Sequence, residues 1–96
     1  MAIETILVVD DSATDRFFLT ELLETAGYTV IGAESGEECL TKVAAKHPDL
    51  ILCDVVMPGL TGFQVTRTLT KDASTAHIPV ILCTGKSQAT DLAWAL

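Results

Sequence analysis

Four short apolar runs alternate along the chain with segments whose apolar residues recur at helical spacing. The runs predict strands at residues 6–9, 29–33, 50–53 and 80–83. Strands that alternate with helices are typical of βαβ units, so the pattern predicts an α/β fold with a parallel sheet. All runs but the second are almost continuously apolar, which predicts that those three strands are central and covered on both faces.

The segments between the runs predict four helices. They are expected at residues 13–26, 36–46, 62–71 and 87–96. Ser12 is the expected N-cap of the first helix and Gly27 its expected C-terminal stop. Pro48 should end the second helix, because the residue before a proline disfavours helical geometry. Two helices begin with the spacing of a capping box, formed by Ser35 with Glu38 and by Thr61 with Gln64.

Length and charge narrow the class of protein. The 96 residues predict one domain over residues 1–96, and the net charge of -7 argues against binding nucleic acid or an anionic membrane. The apolar run at residues 6–9 is too short for a signal peptide or a membrane span. Three cysteines, Cys39, Cys53 and Cys83, are typical of reduced thiols in a core. We therefore expect a cytoplasmic protein.

The carboxyl ends of the predicted strands carry the candidate chemistry, since open parallel sheets gather functional residues there. The residues at these ends are Asp10, Asp11 and Ser12, Glu34 and Ser35, Asp54, and Thr84 and Gly85. Acids at the ends of two neighbouring strands repel one another unless a cation or a proton is held between them. Mg²⁺ suits such an all-oxygen, partly hydrated site. The pattern predicts a cation site formed by Asp10, Asp11 and Asp54.

Each of these groups also has a purely structural interpretation. The acids before residue 13 can cap a helix, Asp54 can belong to a turn, and Thr84 with Gly85 can begin an ordinary loop. Capping does not require an acid at one strand end, a pair of acids at another and a hydroxyl at a third. The combination therefore favours a functional site.

Five segments in a fixed order carry a resemblance to a known family. They are ILVVDDS at residues 6–12, PDLILCD at 48–54, VMPG at 56–59, GF at 62–63 and IPVILCTG at 78–85. The sequence resembles the receiver domain of two-component response regulators. Within that family it is similar to stand-alone CheY-like receivers, and residues 57–72 and 87–96 are similar to the PilH type that serves pilus-driven motility.

The resemblance implies a flavodoxin-like, doubly wound parallel sheet, here with four strands in the order 2-1-3-4. In the family the chain continues to a fifth strand with a lysine and an aromatic switch residue, and then to a last helix. This sequence stops at Leu96, so we expect a domain truncated within its fourth helix and lacking the fifth βα unit. The fourth strand would then be an exposed edge, which predicts pairing with a second copy of the chain.

The resemblance also implies a role for each matching residue. Asp54 would accept a phosphoryl group, and Asp11 and Asp54 would hold Mg²⁺ together with the backbone carbonyl of Val56. Asp10 would support the metal through water or hydrogen bonds. Thr84 would be the switch hydroxyl that binds a phosphoryl oxygen. The donor would be a phosphohistidine on a sensor histidine kinase.

These roles describe a signalling switch rather than an enzyme with a separate substrate. A carboxylate nucleophile beside Mg²⁺ suffices for phosphoryl transfer, and the added charge can bias a loop and so change binding to a downstream protein target. Chemotaxis or motility is the expected setting. The only catalysis expected is transfer to, and hydrolysis from, the chain's own Asp54.

Three other functions remain to be compared with this one. An aspartyl-nucleophile phosphatase usually has a second acid two residues after the nucleophile, where this chain has Val56. A dinucleotide or flavin site needs a glycine-rich loop after the first strand, but Asp10 and Asp11 would repel a phosphate there. The stronger alternative is a protein-interaction module that is not phosphorylated, or an inactive receiver fragment.

Overall fold

The computed structural model of the protein describes residues 2–83. It has seven elements, in the order β1 (Thr5–Val9), α1 (Ala13–Thr25), β2 (Thr29–Ala33), α2 (Gly36–Lys46), β3 (Leu50–Asp54), α3 (Gly62–Lys71) and β4 (Val80–Cys83). Every strand and helix predicted within this range is confirmed, with ends that shift by one residue at most. The predicted helix over residues 87–96 lies outside the described part of the chain.

The four strands form one parallel sheet in the order β2-β1-β3-β4. This order confirms the doubly wound arrangement, because β2 is placed on one side of β1 and β3 on the other. The expectation of three central strands holds for β1 and β3. For β4 the expectation from the apolar run is wrong, whereas the edge position implied by the strand order 2-1-3-4 is confirmed. Among residues 2–83 β4 pairs only with β3, and its residues 80–82 are only partly buried.

Both faces of the sheet are covered, which explains the continuous apolar runs. Leu7 and Val9 of β1 pack on one face in a cluster with Val43 of α2 and Val65 of α3. The alternate β1 residues pack on the other face with Leu19 and Leu23 of α1, and they are Ile6 and Val8. Side chains of a strand alternate between faces, so a strand buried on both sides needs apolar residues at every position.

All three described helices begin at their predicted N-caps. The capping hydroxyls belong to Ser12, Ser35 and Thr61, and each accepts a bond from the backbone N–H three residues later. The capping box is complete at Thr61, whose own N–H donates to Gln64 Oε1 at 2.9 Å. At Ser35 it is not, because Glu38 Oε1 instead accepts from the N–H of Glu34 at 2.7 Å. One of the two predicted capping boxes is therefore wrong in its second half.

The ends of the first two helices use left-handed backbone geometry. Gly27 follows α1 with φ +102°, which confirms it as the stop. Lys46 is the last residue of α2, and His47 then adopts φ 49° directly before Pro48. The chain thus leaves the helix at the predicted residue, through a left-handed conformation that few side chains other than those of Asn, Asp and His adopt.

Gly62 begins α3 in close contact with the end of β3. A Cβ atom at residue 62 would lie 2.6 Å from the carbonyl oxygen of Asp54 and 3.0 Å from Leu82 Cδ2. Because a backbone oxygen cannot rotate away, we expect Gly62→Ala to lower the free energy of unfolding by about 1–3 kcal/mol in urea denaturation. Gly32→Ala is the control, since its Cβ would meet its nearest atom, Arg16 Cδ, at 3.5 Å. Equal losses in the two variants would contradict the prediction.

Candidate functional site

The pairing of β1 with β3 brings three acids together at the carboxyl edge of the sheet. Val9 is opposite Cys53 in the register, so the next residues, Asp10 and Asp54, leave the two strands side by side. One carboxylate oxygen from each of Asp10, Asp11 and Asp54 lies within 4.8 Å of the other two. The structure thus places together the three acids that the sequence singles out.

The three acids differ in exposure and in hydrogen bonding. Asp10 and Asp54 are 2% and 3% exposed, whereas Asp11 is exposed to solvent. Asp10 Oδ1 accepts from the N–H of Ser12 at 2.9 Å, and Asp54 Oδ1 accepts from the N–H of Val56 at 3.2 Å. Backbone amides two residues further along the chain therefore orient the two buried carboxylates.

Burial and mutual repulsion make a negative charge on Asp10 unfavourable. The pKa of Asp10 is raised to about 6, mainly by burial; the bond from Ser12 opposes this rise, and the neighbouring charges of Asp54, Asp15 and Asp11 contribute to it. A proton or a cation would relieve this repulsion. Carboxylate oxygens are the ligands that Mg²⁺ prefers, and the exposed Asp11 leaves the cluster open to solvent, so these residues fit a partly hydrated divalent cation.

The other residues singled out at the strand ends do not join the acid cluster in the described part of the chain, or lie outside that part. Glu34 is exposed and is not one of the clustered acids. The side chain of Val56 is exposed, and the role of its backbone carbonyl as a ligand stays a prediction. Thr84 and Gly85 lie outside the residues that the structure describes.

One residue at the site has no counterpart in the sequence-based prediction. Arg16 of α1 donates a hydrogen bond from Nη1 to the backbone oxygen of Asp10 at 2.7 Å. The sequence offers only a weak signal, a single basic residue in the second turn of the helix that follows the two acids. Contact with a backbone carbonyl leaves no pattern in the sequence, so this interaction could not be inferred from it.

A cavity in the described part of the chain lies away from the acids. It has a volume of about 320 Å³ and is lined by residues that precede β1, β3 and β4, among them Ile3, Pro48 and Pro79, with His47 and His77 beside them. It therefore lies at the amino edge of the sheet, roughly 15 Å from the acids along a five-residue strand. Charge and ligand chemistry, not cavity volume, make the acid cluster the candidate functional site.

The fold and the acid cluster agree with a family assignment made from the sequence. Residues 6–96 match the sequence model of the response regulator receiver domain. The chain belongs to this family and is a receiver of two-component phosphorelay signalling.

Individual relatives refine that assignment. The protein PilH of Pseudomonas aeruginosa is 52% identical over 89 residues, which cover 93% of this chain and 74% of PilH. The resemblance to PilH that the sequence suggests is confirmed.

Solved structures agree on the fold. The N-terminal domain of a response regulator receiver protein from Methanoculleus marisnigri JR1 superimposes with a TM-score of 0.84 and 38% identity, covering 96% of this chain and 78% of that one. The chemotaxis response regulator CheY4 of Vibrio cholerae gives a TM-score of 0.82 and 30% identity, covering 94% and 75%. The flavodoxin-like fold is confirmed, and the PilH and CheY4 similarities fit a setting in chemotaxis or motility.

Within residues 2–83, no helix is long and apolar enough to cross a bilayer.

The stability of the metal-free protein should depend on the ionisation of Asp10. Its pKa is raised from 3.8 to about 6 on folding, so the folded state holds this proton more tightly and loses stability as pH rises through about 6. Between about pH 4 and pH 7, we expect the free energy of unfolding of the wild type to fall by roughly 2–3 kcal/mol relative to that of Asp10→Asn. Urea denaturation in EDTA measures the difference. A constant difference in unfolding free energy between the two proteins across that range would show that folding does not disfavour the charged form of Asp10.

Proposed function

We propose that the chain accepts a phosphoryl group on Asp54 from the phosphohistidine of a sensor histidine kinase, with Mg²⁺ held by Asp10, Asp11, Asp54 and the carbonyl of Val56. The observation that carries this proposal is the convergence of three carboxylate oxygens within 4.8 Å in a receiver domain. One of the three oxygens belongs to Asp54, the last residue of the buried strand β3.

The surroundings of Asp54 suit a nucleophile. It is the last residue of β3, and the bond from the N–H of Val56 to Oδ1 fixes the orientation of its carboxylate. An oxygen of Asp54 forms a bond to phosphorus while the bond from phosphorus to the imidazole nitrogen of the donor breaks. The imidazole leaves with its electron pair and takes a proton from solvent. Mg²⁺, when bound, neutralises charge on the phosphoryl oxygens.

The two other acids have different tasks. Asp11 is exposed, so its carboxylate can reach a hydrated cation directly. Asp10 is buried and engaged with the N–H of Ser12, which suits support through a hydrogen bond or a water.

The phosphohistidine must come from another molecule. The chain has two histidines, His47 and His77, and both line the cavity at the amino edge of the sheet. A strand length separates them from Asp54. This placement supports a separate kinase as the donor.

The readout of the phosphoryl group is proposed to begin at Thr84. Cys83, the residue before it, is paired in the register with Asp54, so the chain leaves β4 beside the acceptor. A hydroxyl there would bond a phosphoryl oxygen, and this bond would alter binding to a downstream protein. We further propose that the chain works as a cytoplasmic switch. Its net charge of -7 supports a function that involves neither nucleic acid nor membrane.

Two further possibilities concern protein contacts. Pairing of two chains through the outer edge of β4 is consistent with its partial burial, and light scattering that shows only monomer would contradict it. A purely protein-binding function without phosphorylation is favoured by one observation, the exposed apolar side chains of α1, which are Phe17, Phe18 and Leu22.

Phosphorylation by a small donor tests the proposal without the kinase. After incubation with acetyl phosphate and Mg²⁺, we expect intact-mass spectrometry to detect a single phosphoryl adduct on the wild-type chain, lost in Asp54→Asn and in EDTA. Glu34→Gln is the matched control, because Glu34 is an exposed acid at the end of a neighbouring strand and lies outside the cluster. An adduct that persists in Asp54→Asn, or no adduct on wild type, would contradict the proposal.

A further inference from the structure

The side chain of Arg16 connects α1 to the edge of the sheet above the acid cluster. It is half-buried, and its Nη1 donates to the carbonyl oxygen of Asp10 at 2.7 Å. Its aliphatic part crosses Gly32 of β2, where a Cβ atom would lie 3.5 Å from Arg16 Cδ. The guanidinium is thus used to hold a backbone carbonyl, and a residue without a side chain lies beneath it.

Asp10 is held at its backbone N–H, its side chain and its carbonyl. The N–H donates to the carbonyl of Ala33 at 3.0 Å, and Oδ1 accepts from the N–H of Ser12 at 2.9 Å. The third group, the carbonyl, accepts from Arg16. The partners in the first two bonds are backbone groups, so the carbonyl bond is the one that can be removed by substituting the partner residue.

This carbonyl belongs to the peptide unit that joins Asp10 to Asp11. Six atoms of a peptide unit lie in one plane, so fixing the C=O of Asp10 also fixes the N–H and Cα of Asp11. Within residues 2–83, no hydrogen bond to the carboxylate of Asp11 is found, and this side chain is exposed. The direction of the Asp11 carboxylate therefore depends on its backbone.

We infer that Arg16 is a positioning residue, which holds the Asp10–Asp11 peptide plane and thereby directs the carboxylate of Asp11 toward the cation. This inference rests on the proposed function, because it requires a cation at the acid cluster. Groups that orient metal ligands without touching the metal commonly change metal affinity by about 10–100-fold when they are removed.

Electrostatics alone predicts the opposite effect of losing Arg16. A guanidinium near a cation site repels the cation, so removing its charge should tighten binding. A positioning role predicts weaker binding instead. The sign of the change in affinity therefore separates the two explanations.

Arg16→Met removes the donor and retains an unbranched apolar side chain over Gly32. We expect isothermal titration calorimetry to show about tenfold weaker Mg²⁺ binding than wild type. Lys42→Met is the matched control. Lys42 of α2 also donates from its side chain to a backbone carbonyl, that of Gly32 in β2 at 3.2 Å, but this carbonyl does not belong to the acid cluster. Mg²⁺ affinity in Arg16→Met that equals or exceeds that of Lys42→Met would overturn the inference.

A second pair of variants keeps the charge and moves the side chain. Gly32→Val adds methyl groups where the Arg16 stem lies, so we expect weaker Mg²⁺ binding, whereas Gly32→Ala makes only an ordinary contact and should bind like wild type. Circular dichroism checks that each variant is folded. Equal affinity in Gly32→Val and Gly32→Ala would also overturn the role of Arg16. A wild-type chain that binds no Mg²⁺ would instead contradict the proposed function itself.

Discussion

The functional site depends on the parallel pairing of β1 with β3. Residues that follow two paired parallel strands must leave the same edge of the sheet, so the register that places Val9 opposite Cys53 also places Asp10 beside Asp54. The apolar residues of both strands fill the two cores, and their burial fixes this register. The energy that folds the domain therefore also holds two like charges together.

That arrangement has an electrostatic cost at the place where the chemistry is proposed. Asp10 and Asp54 are almost fully buried, and the rise in the pKa of Asp10 shows that its charged form is disfavoured there. Backbone N–H groups stabilise each of the two carboxylates, but they do not remove the repulsion between them. The proposed cation would relieve it, and binding would then stabilise the folded protein as well as prepare Asp54 for phosphoryl transfer.

Much of this could be predicted from the sequence, and the exceptions have physical causes. The strands, the helices and the convergence of Asp10, Asp11 and Asp54 follow from apolar periodicity and from the rule that parallel strands end together. The side-chain partner of Glu38 could not be predicted, because two neighbouring N–H groups were within its reach. The contact of Arg16 with a backbone carbonyl was missed, since a carbonyl has no sequence identity. The apolar run of β4 did not reveal its edge position, because such a run does not specify the neighbours of a strand, but the strand order implied by the family resemblance did.

The central claim is that the three acids form one cation site. Its most direct test is a crystal structure of the chain grown with Mn²⁺ in place of Mg²⁺ and measured at a wavelength where manganese scatters anomalously. The account predicts an anomalous peak at the carboxyl edge of β1 and β3, bounded by carboxylate oxygens of Asp11 and Asp54, with Asp10 next to it. A fully ordered cluster without such a peak at saturating Mn²⁺, or a peak only elsewhere on the molecule, would contradict it.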